Sequence, residues 1–134
     1  MWLEKVEAIV RMNRFARVMP PAEDHEIKKL FDMFGDVPSD LIALLKEANG
    51  DGDILLSVDQ IIETNLTNSQ LDFYMPLDCI LFFARNGCGD YYGYGISKAK
   101  EFTKIYFWDH ESDDRTCVCG YLEQLLDSYL KGEI

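Results

Sequence analysis

The sequence is short of positive charge. Its 134 residues hold 13 lysines and arginines against 24 aspartates and glutamates, which gives a formal net charge of −11. The shortage is concentrated in residues 47–114, where 13 acids stand against 4 bases, net −9. Such a field repels nucleic acids and anionic membranes and attracts basic proteins. We therefore expect neither nucleic acid nor a membrane as partner, and the charge taken alone is explained most simply by solubility.

Long apolar runs are absent too. No stretch approaches the ~18 apolar residues that a transmembrane helix needs, and the N-terminal MWLEKVEAIVRMNRF carries charges where a signal peptide has a continuous apolar core. We expect a cytoplasmic protein. Because 48% of 134 residues are hydrophobic, the sequence predicts a single domain over residues 1–134.

Cysteine and histidine are both scarce. Four cysteines are too few for a disulfide scaffold, so we expect them reduced: Cys79, Cys88, Cys117 and Cys119. A zinc site with His110 is conceivable, but the paired C-x-x-C spacing of such sites is missing. We predict no metal and no cofactor.

Few residues qualify for catalysis. The histidines are His25, in a charged helical turn, and His110, which a small hydrolase would pair with Cys88 or Cys117. The sequence offers neither a third group to orient such a pair nor an oxyanion device. We therefore predict that the protein is not an enzyme, with the hydrolase kept as a rival hypothesis.

Two glycine-rich segments resemble ligand loops only at first sight. NGDGD, residues 49–53, lacks the glycine and the bidentate glutamate that a calcium-binding EF-hand needs. RNGCGDYYGYG, residues 85–95, has no helix N-terminus after it and no lysine beside it, and Asp90 would repel a phosphate. We interpret both segments as turns.

Hydrophobic periodicity predicts helices at both ends of the chain. The helical segments are residues 2–12, 22–35, 37–50 and 120–134, with a brief further helix over 58–65. The predicted strands are 53–58, 79–85, 90–97 and 104–111, and TNLTNSQLD, residues 64–72, is expected to be a polar loop. This order predicts an α+β fold with a mostly antiparallel central sheet, flanked by N-terminal helices and a C-terminal helix.

The order of the motifs resembles the SUKH superfamily, the Smi/Knr-like domain, over about residues 26–130. The resemblance is carried by three groups of residues: Pro38, Leu41, Leu45, Asn49 and Gly50; Gly87, Gly89 and Asp90; Trp108, His110 and Glu111. One departure is the bulky LFFARNGC before the Gly-Asp turn. The resemblance implies an α+β fold and structural roles for Pro38, Asn49, Gly50, Gly87, Gly89, Trp108 and His110.

The resemblance also implies a function. Bacterial members are immunity proteins that neutralise toxins, often nucleases, by binding them, whereas a fungal branch resembles regulators of cell-wall synthesis. Neither role is enzymatic. Our leading hypothesis is an immunity protein, and the alternative is a non-enzymatic regulatory scaffold that binds a cellular protein.

A toxin nuclease must be basic to hold its substrate, so an acidic face would steer its association. Tyrosines add rigid contact area, although each tyrosine here is as readily explained by packing within the sheet. The candidate partner-binding residues are Asp51, Asp53, Asp90, Tyr91, Tyr92, Asp109, Glu111, Asp113 and Asp114. The sequence leaves the oligomeric state open.

Overall fold

The computed structural model describes residues 1–134. Five helices and four strands follow one another as α1 (Trp2–Met12), α2 (Asp24–Phe34), α3 (Ser39–Glu47), α4 (Val58–Ser69), β1 (Ile80–Arg85), β2 (Tyr91–Ile96), β3 (Phe102–Trp108), β4 (Arg115–Cys119) and α5 (Leu122–Leu130). The strands form one antiparallel sheet in the order β1-β2-β3-β4. The predicted α+β class, with helices flanking an antiparallel sheet, is confirmed.

The helices begin and end where their local chemistry dictates. Reciprocal capping boxes start two of them: Glu23 with Glu26 at α2, and Ser57 with Gln60 at α4. Helix α2 ends at Gly35, which adopts a positive φ of 79° and donates its backbone N–H to the Phe31 carbonyl. None of the five helices combines the length and the apolar character needed to cross a membrane.

The sheet has two faces, and each supports a core of its own. The larger cluster, of 23 buried residues, packs the helices against side chains such as Leu81, Tyr94 and Ile105. A second cluster of four, Leu77, Ile80, Phe82 and Trp108, lies on the opposite face. The connection between α4 and β1, residues 71–79 and called here the α4–β1 loop, contributes to this second cluster through Leu77, Leu71 and Tyr74.

Two predictions of secondary structure were wrong. The predicted strand over residues 53–58 is irregular chain, with a single bridge from Leu55 to Ala84. The predicted polar loop over 64–72 is mostly helix, because α4 continues to Ser69. The side chain of Asn65 accounts for this extension: its amide donates to the carbonyls of Ile61 and Phe82, and its oxygen accepts from the Phe82 amide. Strand β4 was not predicted at all.

Candidate functional site

One end of the sheet carries two turns that lie side by side. The β1–β2 turn spans residues 86–90 and the β3–β4 turn spans 109–114. Asp90 joins them: its Oδ1 accepts a hydrogen bond from the backbone N–H of His110 at 3.0 Å and lies 2.6 Å from His110 Nδ1. Its Oδ2 accepts from Asn86 Nδ2 at 3.0 Å. Residues twenty positions apart in sequence thus form one bonded unit.

Each partner of this pair changes the titration of the other. The hydrogen bond to Asp90 raises the pKa of His110 against a smaller opposing effect of burial, and the charges of Asp90, Glu111 and Asp109 act in the same direction. Burial disfavours the Asp90 carboxylate, yet the hydrogen bonds from His110 and Asn86 outweigh it and lower the pKa of Asp90. Both shifts favour the charged pair.

Gly89 permits the contact. Its φ is +92°, a conformation that side chains rarely adopt, and a Cβ placed on it would lie 2.8 Å from Cε1 of the His110 ring. The imidazole therefore packs directly on the glycine backbone. This is the physical reason for a glycine at this position in the predicted turn.

A second carboxylate fixes the β3–β4 turn to the α4–β1 loop. Asp113 Oδ1 accepts from the indole Nε1 of Trp108 at 2.8 Å and from Arg115 Nη2 at 3.0 Å, and its Oδ2 accepts from the Met75 amide at 3.0 Å. Burial opposes ionisation, but the bonds from Trp108, Met75 and Arg115 lower the pKa of Asp113. The Asp113 carboxylate is therefore committed to internal bonds.

The two candidate tyrosines lie on opposite faces of the sheet, as the alternation of a strand requires. Tyr91 stacks on Trp108 with ring centroids 6.3 Å apart, whereas Tyr92 packs on Phe107 at 5.0 Å. Tyr92 also lines an apolar cavity of about 220 Å³ between the sheet and α5, and burial raises its pKa. Both rings are partly buried.

The candidate acids divide into internal and external groups. Asp51 has no exposed surface: its Oδ1 accepts from the amides of Asp53 and Leu55, and burial raises its pKa. Its carboxylate shapes the turn after α3 and is not available at the surface. Asp53 is half-buried and accepts from Asn13 Nδ2 at 2.8 Å.

The exposed members of the candidate acids lie on the β3–β4 turn. Glu111 and Asp114 are exposed, whereas Asp109 is half-buried and accepts from the Glu111 amide at 2.9 Å. Together with Asp90 and Asp113, these residues concentrate negative charge at one end of the sheet. The structure therefore gathers most of the predicted acids, except Asp51, around the two turns.

The chemical options at this site are few. The ligand atoms of Asp90, Asp109 and His110 lie within 4.8 Å of one another, as in a possible metal-binding group. The 2.6 Å contact between His110 Nδ1 and Asp90 Oδ1 already holds two of these residues together. No hydrogen bond joins a thiol to the imidazole: the Cys117 thiol donates to the Cys119 carbonyl, and the thiol of the exposed Cys88 makes no hydrogen bond. The arrangement holds two turns together and presents charge.

The α4–β1 loop is part of the site, although the sequence predicts no role for it. Its Tyr74 hydroxyl donates to the His110 carbonyl at 2.6 Å, and Arg115 donates to the carbonyls of Met75 and Pro76 at 2.8 and 2.9 Å. The available signal was the run FYMP, residues 73–76, which places large apolar side chains between Asp72 and Asp78. The site is therefore three segments: two turns and this loop.

Comparison with known families gives one match. Residues 21–128, most of the chain, match the SMI1 / KNR4 family (SUKH-1). The match spans every element from α2 to β4 and most of α5, while α1 lies outside it. Among curated proteins there is no match.

Proposed function

The chain belongs to the SMI1 / KNR4 family (SUKH-1), and on that premise we propose that it is an immunity protein of a bacterial toxin system. It acts in the cytoplasm, without catalysis, by binding a cognate toxin and covering that toxin's active site. The toxin is a basic protein, in the first place a nuclease. The observation that carries the proposal is the concentration of acids on two turns that are bonded to each other.

The charge of the site suits a nuclease partner. A nuclease holds polyanionic substrate with lysines and arginines, so the surface around its active site is positive. Glu111 and Asp114 project from the β3–β4 turn, and Asp90, Asp109 and Asp113 add to the same negative field. A surface of this sign accelerates the encounter and competes for the basic groups that bind substrate.

The internal bonding of the site also supports binding. Asp90 is fixed by His110 and Asn86, and Asp113 by Trp108 and Arg115. Because these turns are ordered before they meet a partner, binding loses less conformational entropy in them. A preorganised acidic surface of this kind favours a protein-binding role over that of a mobile, solvated loop.

A growth rescue tests the proposal. The protein encoded beside this chain's gene is expressed in susceptible cells with and without this chain. Rescue by this chain is the expected result. Toxicity that persists in both cultures, or a neighbour without toxicity, contradicts the immunity role and favours the regulatory scaffold.

Charge-reversal variants test the site in measurements of association rate with the toxin that the growth rescue identifies. E111K with D114K reverses two exposed acids on the β3–β4 turn, and E7K with E133K makes the same change of charge at exposed positions outside it. We expect the first pair to slow association about tenfold at low salt and the second to leave it nearly unchanged. Equal effects would assign the attraction to net charge alone.

A further inference from the structure

The α4–β1 loop exposes two large apolar side chains. Phe73 is 90% exposed and Met75 is 70% exposed. Isolated apolar residues are common on protein surfaces and need no explanation. Here two exposed apolar side chains lie two positions apart on one loop. Whether they form a binding site depends on how rigidly the loop is held and on the charges near it.

The loop that carries them is held in place by the β3–β4 turn. Between Phe73 and Met75, the ring of Tyr74 turns inward and contacts Trp108 edge-on at 4.9 Å between centroids. Its hydroxyl bonds to the His110 carbonyl, and the Met75 amide bonds to Asp113. The inward residues fix the backbone, so the two outward side chains are displayed from an ordered segment.

Arg115 completes this attachment, and its positive charge is paired with Asp113. Its guanidinium donates to the carbonyls of Met75 and Pro76 and pairs with Asp113 at 3.0 Å. The exposed acids of this region form no salt bridge: Asp72 and Asp78 lie within the loop on either side of the apolar pair, and Glu111 lies on the turn that holds the loop. The apolar pair therefore lies on a segment whose exposed charged side chains are acidic and have no salt-bridge partner.

We propose that the α4–β1 loop is the anchor of the toxin interface, with Phe73 and Met75 entering an apolar pocket on the basic partner. This inference rests on the proposed immunity function and names its central contacts. Lysines or arginines around the pocket meet Asp72, Asp78 and Glu111. An aromatic anchor within a charged rim is the arrangement that concentrates binding energy at protein interfaces.

The sign of the charge selects the occupant. A second copy of this chain would place the same acids opposite one another, which opposes self-association at a net charge of −11. An anionic membrane is repelled for the same reason. A basic protein is the partner whose charge fits.

The test compares dissociation rates of single complexes. The partner is the toxin domain that the growth rescue identifies, carrying a substitution that removes its toxicity. F73A with M75A should raise the dissociation rate about 30-fold, with the association rate within about threefold of wild type. D72K with D78K should lower the association rate instead. Thermal unfolding should not change, because both apolar side chains lie mainly in solvent.

Phe15 provides the matched control. It is 70% exposed, but the Arg14 guanidinium lies 4.8 Å from its ring centroid, the wrong charge for a basic partner. F15A should leave both rates unchanged. An unchanged dissociation rate for F73A with M75A, while the wild type still rescues growth, overturns the anchor and leaves the immunity function standing.

Two other outcomes also overturn the inference. Absence of rescue by the wild type removes the proposed function and the anchor with it. A wild-type dimer in sedimentation that F73A with M75A abolishes would assign the loop to self-association.

Discussion

Replacing Asp113 by alanine should release the α4–β1 loop from the sheet. The Asp113 carboxylate accepts hydrogen bonds from the Trp108 indole, the Met75 amide and the Arg115 guanidinium at 2.8, 3.0 and 3.0 Å. Two of these donors belong to the sheet and the third to the loop. Removing the acceptor therefore acts on the second core cluster and on the loop together.

The size of the effect follows from these contacts. The side chains of Asp113 and Arg115 are 20% and 21% exposed, so water replaces part of what is lost. We assign about 1 kcal/mol to each of the bonds from Trp108 and Met75, below the roughly 1.5–3 kcal/mol of bonds to charged groups because water replaces part of each bond. Asp113 also has a φ of 60°, which alanine tolerates less well by about 1 kcal/mol. The sum is about 3 kcal/mol, a fall in Tm of about 10 °C.

Urea unfolding measures the loss, and amide hydrogen exchange at Met75 locates it. D113N is the comparison, because asparagine tolerates the left-handed backbone and keeps one acceptor oxygen, so it should lose about half as much. The two variants thus separate the backbone contribution from the hydrogen bonds. A D113A protein within about 0.5 kcal/mol of wild type, with Met75 exchange unchanged, would refute the attachment of the loop through Asp113.

Three further predictions concern Gly50 after α3, the pair of Asp90 with His110, and association with the toxin. G50A should destabilise the protein severely in urea unfolding, since a Cβ there would lie 2.6 Å from the Leu55 carbonyl oxygen; G87A, with the same positive φ but nothing within 4 Å, should lose only about 1–2 kcal/mol. In H110A the Tm should lie furthest below that of the wild type at about pH 5–6 and approach it as the pH rises. The raised pKa of His110 contributes stability that is fully present below the unfolded pKa of about 6.5 and is lost as the pH rises through the folded pKa. A difference in Tm that grows from pH 6 to pH 9 contradicts the pair with Asp90. Raising the ionic strength from about 0.05 to 0.5 M should slow toxin association by at least tenfold in stopped-flow measurements, and a rate independent of salt would remove the electrostatic part of the proposed function.

Helical periodicity predicted the terminal elements because their burial is decided locally. In α5, Leu122, Leu125 and Leu126 share one face, and all three are buried. The continuation of α4 escaped prediction because threonine and asparagine favour caps and turns in isolation. In the folded chain the Asn65 side chain bonds to the Phe82 backbone, 17 residues away, so a tertiary contact outweighs local propensity.

The candidate site shows the same division. The turn at Gly89 and Asp90 could be predicted from the sequence, since glycine and aspartate both favour turns through local backbone preferences. The burial of Asp51 could not be predicted, because the amides of Asp53 and Leu55 that donate to it are brought together only in the folded turn. The exposure of Phe73 could not be predicted, because a phenylalanine is expected to be buried. Only the folded loop shows that its neighbour Tyr74 points inward.

Hydrogen bonds within the chain divide the residues of the proposed interface into two roles. Asp90, His110 and Asp113 are bonded to other parts of the chain, so they cannot offer the same atoms to a partner without breaking the turns. Partner choice must therefore come from side chains outside this network, among them Phe73 and Glu111. A protein built in this way can change its partner by substitution on the surface while the bonded framework is kept.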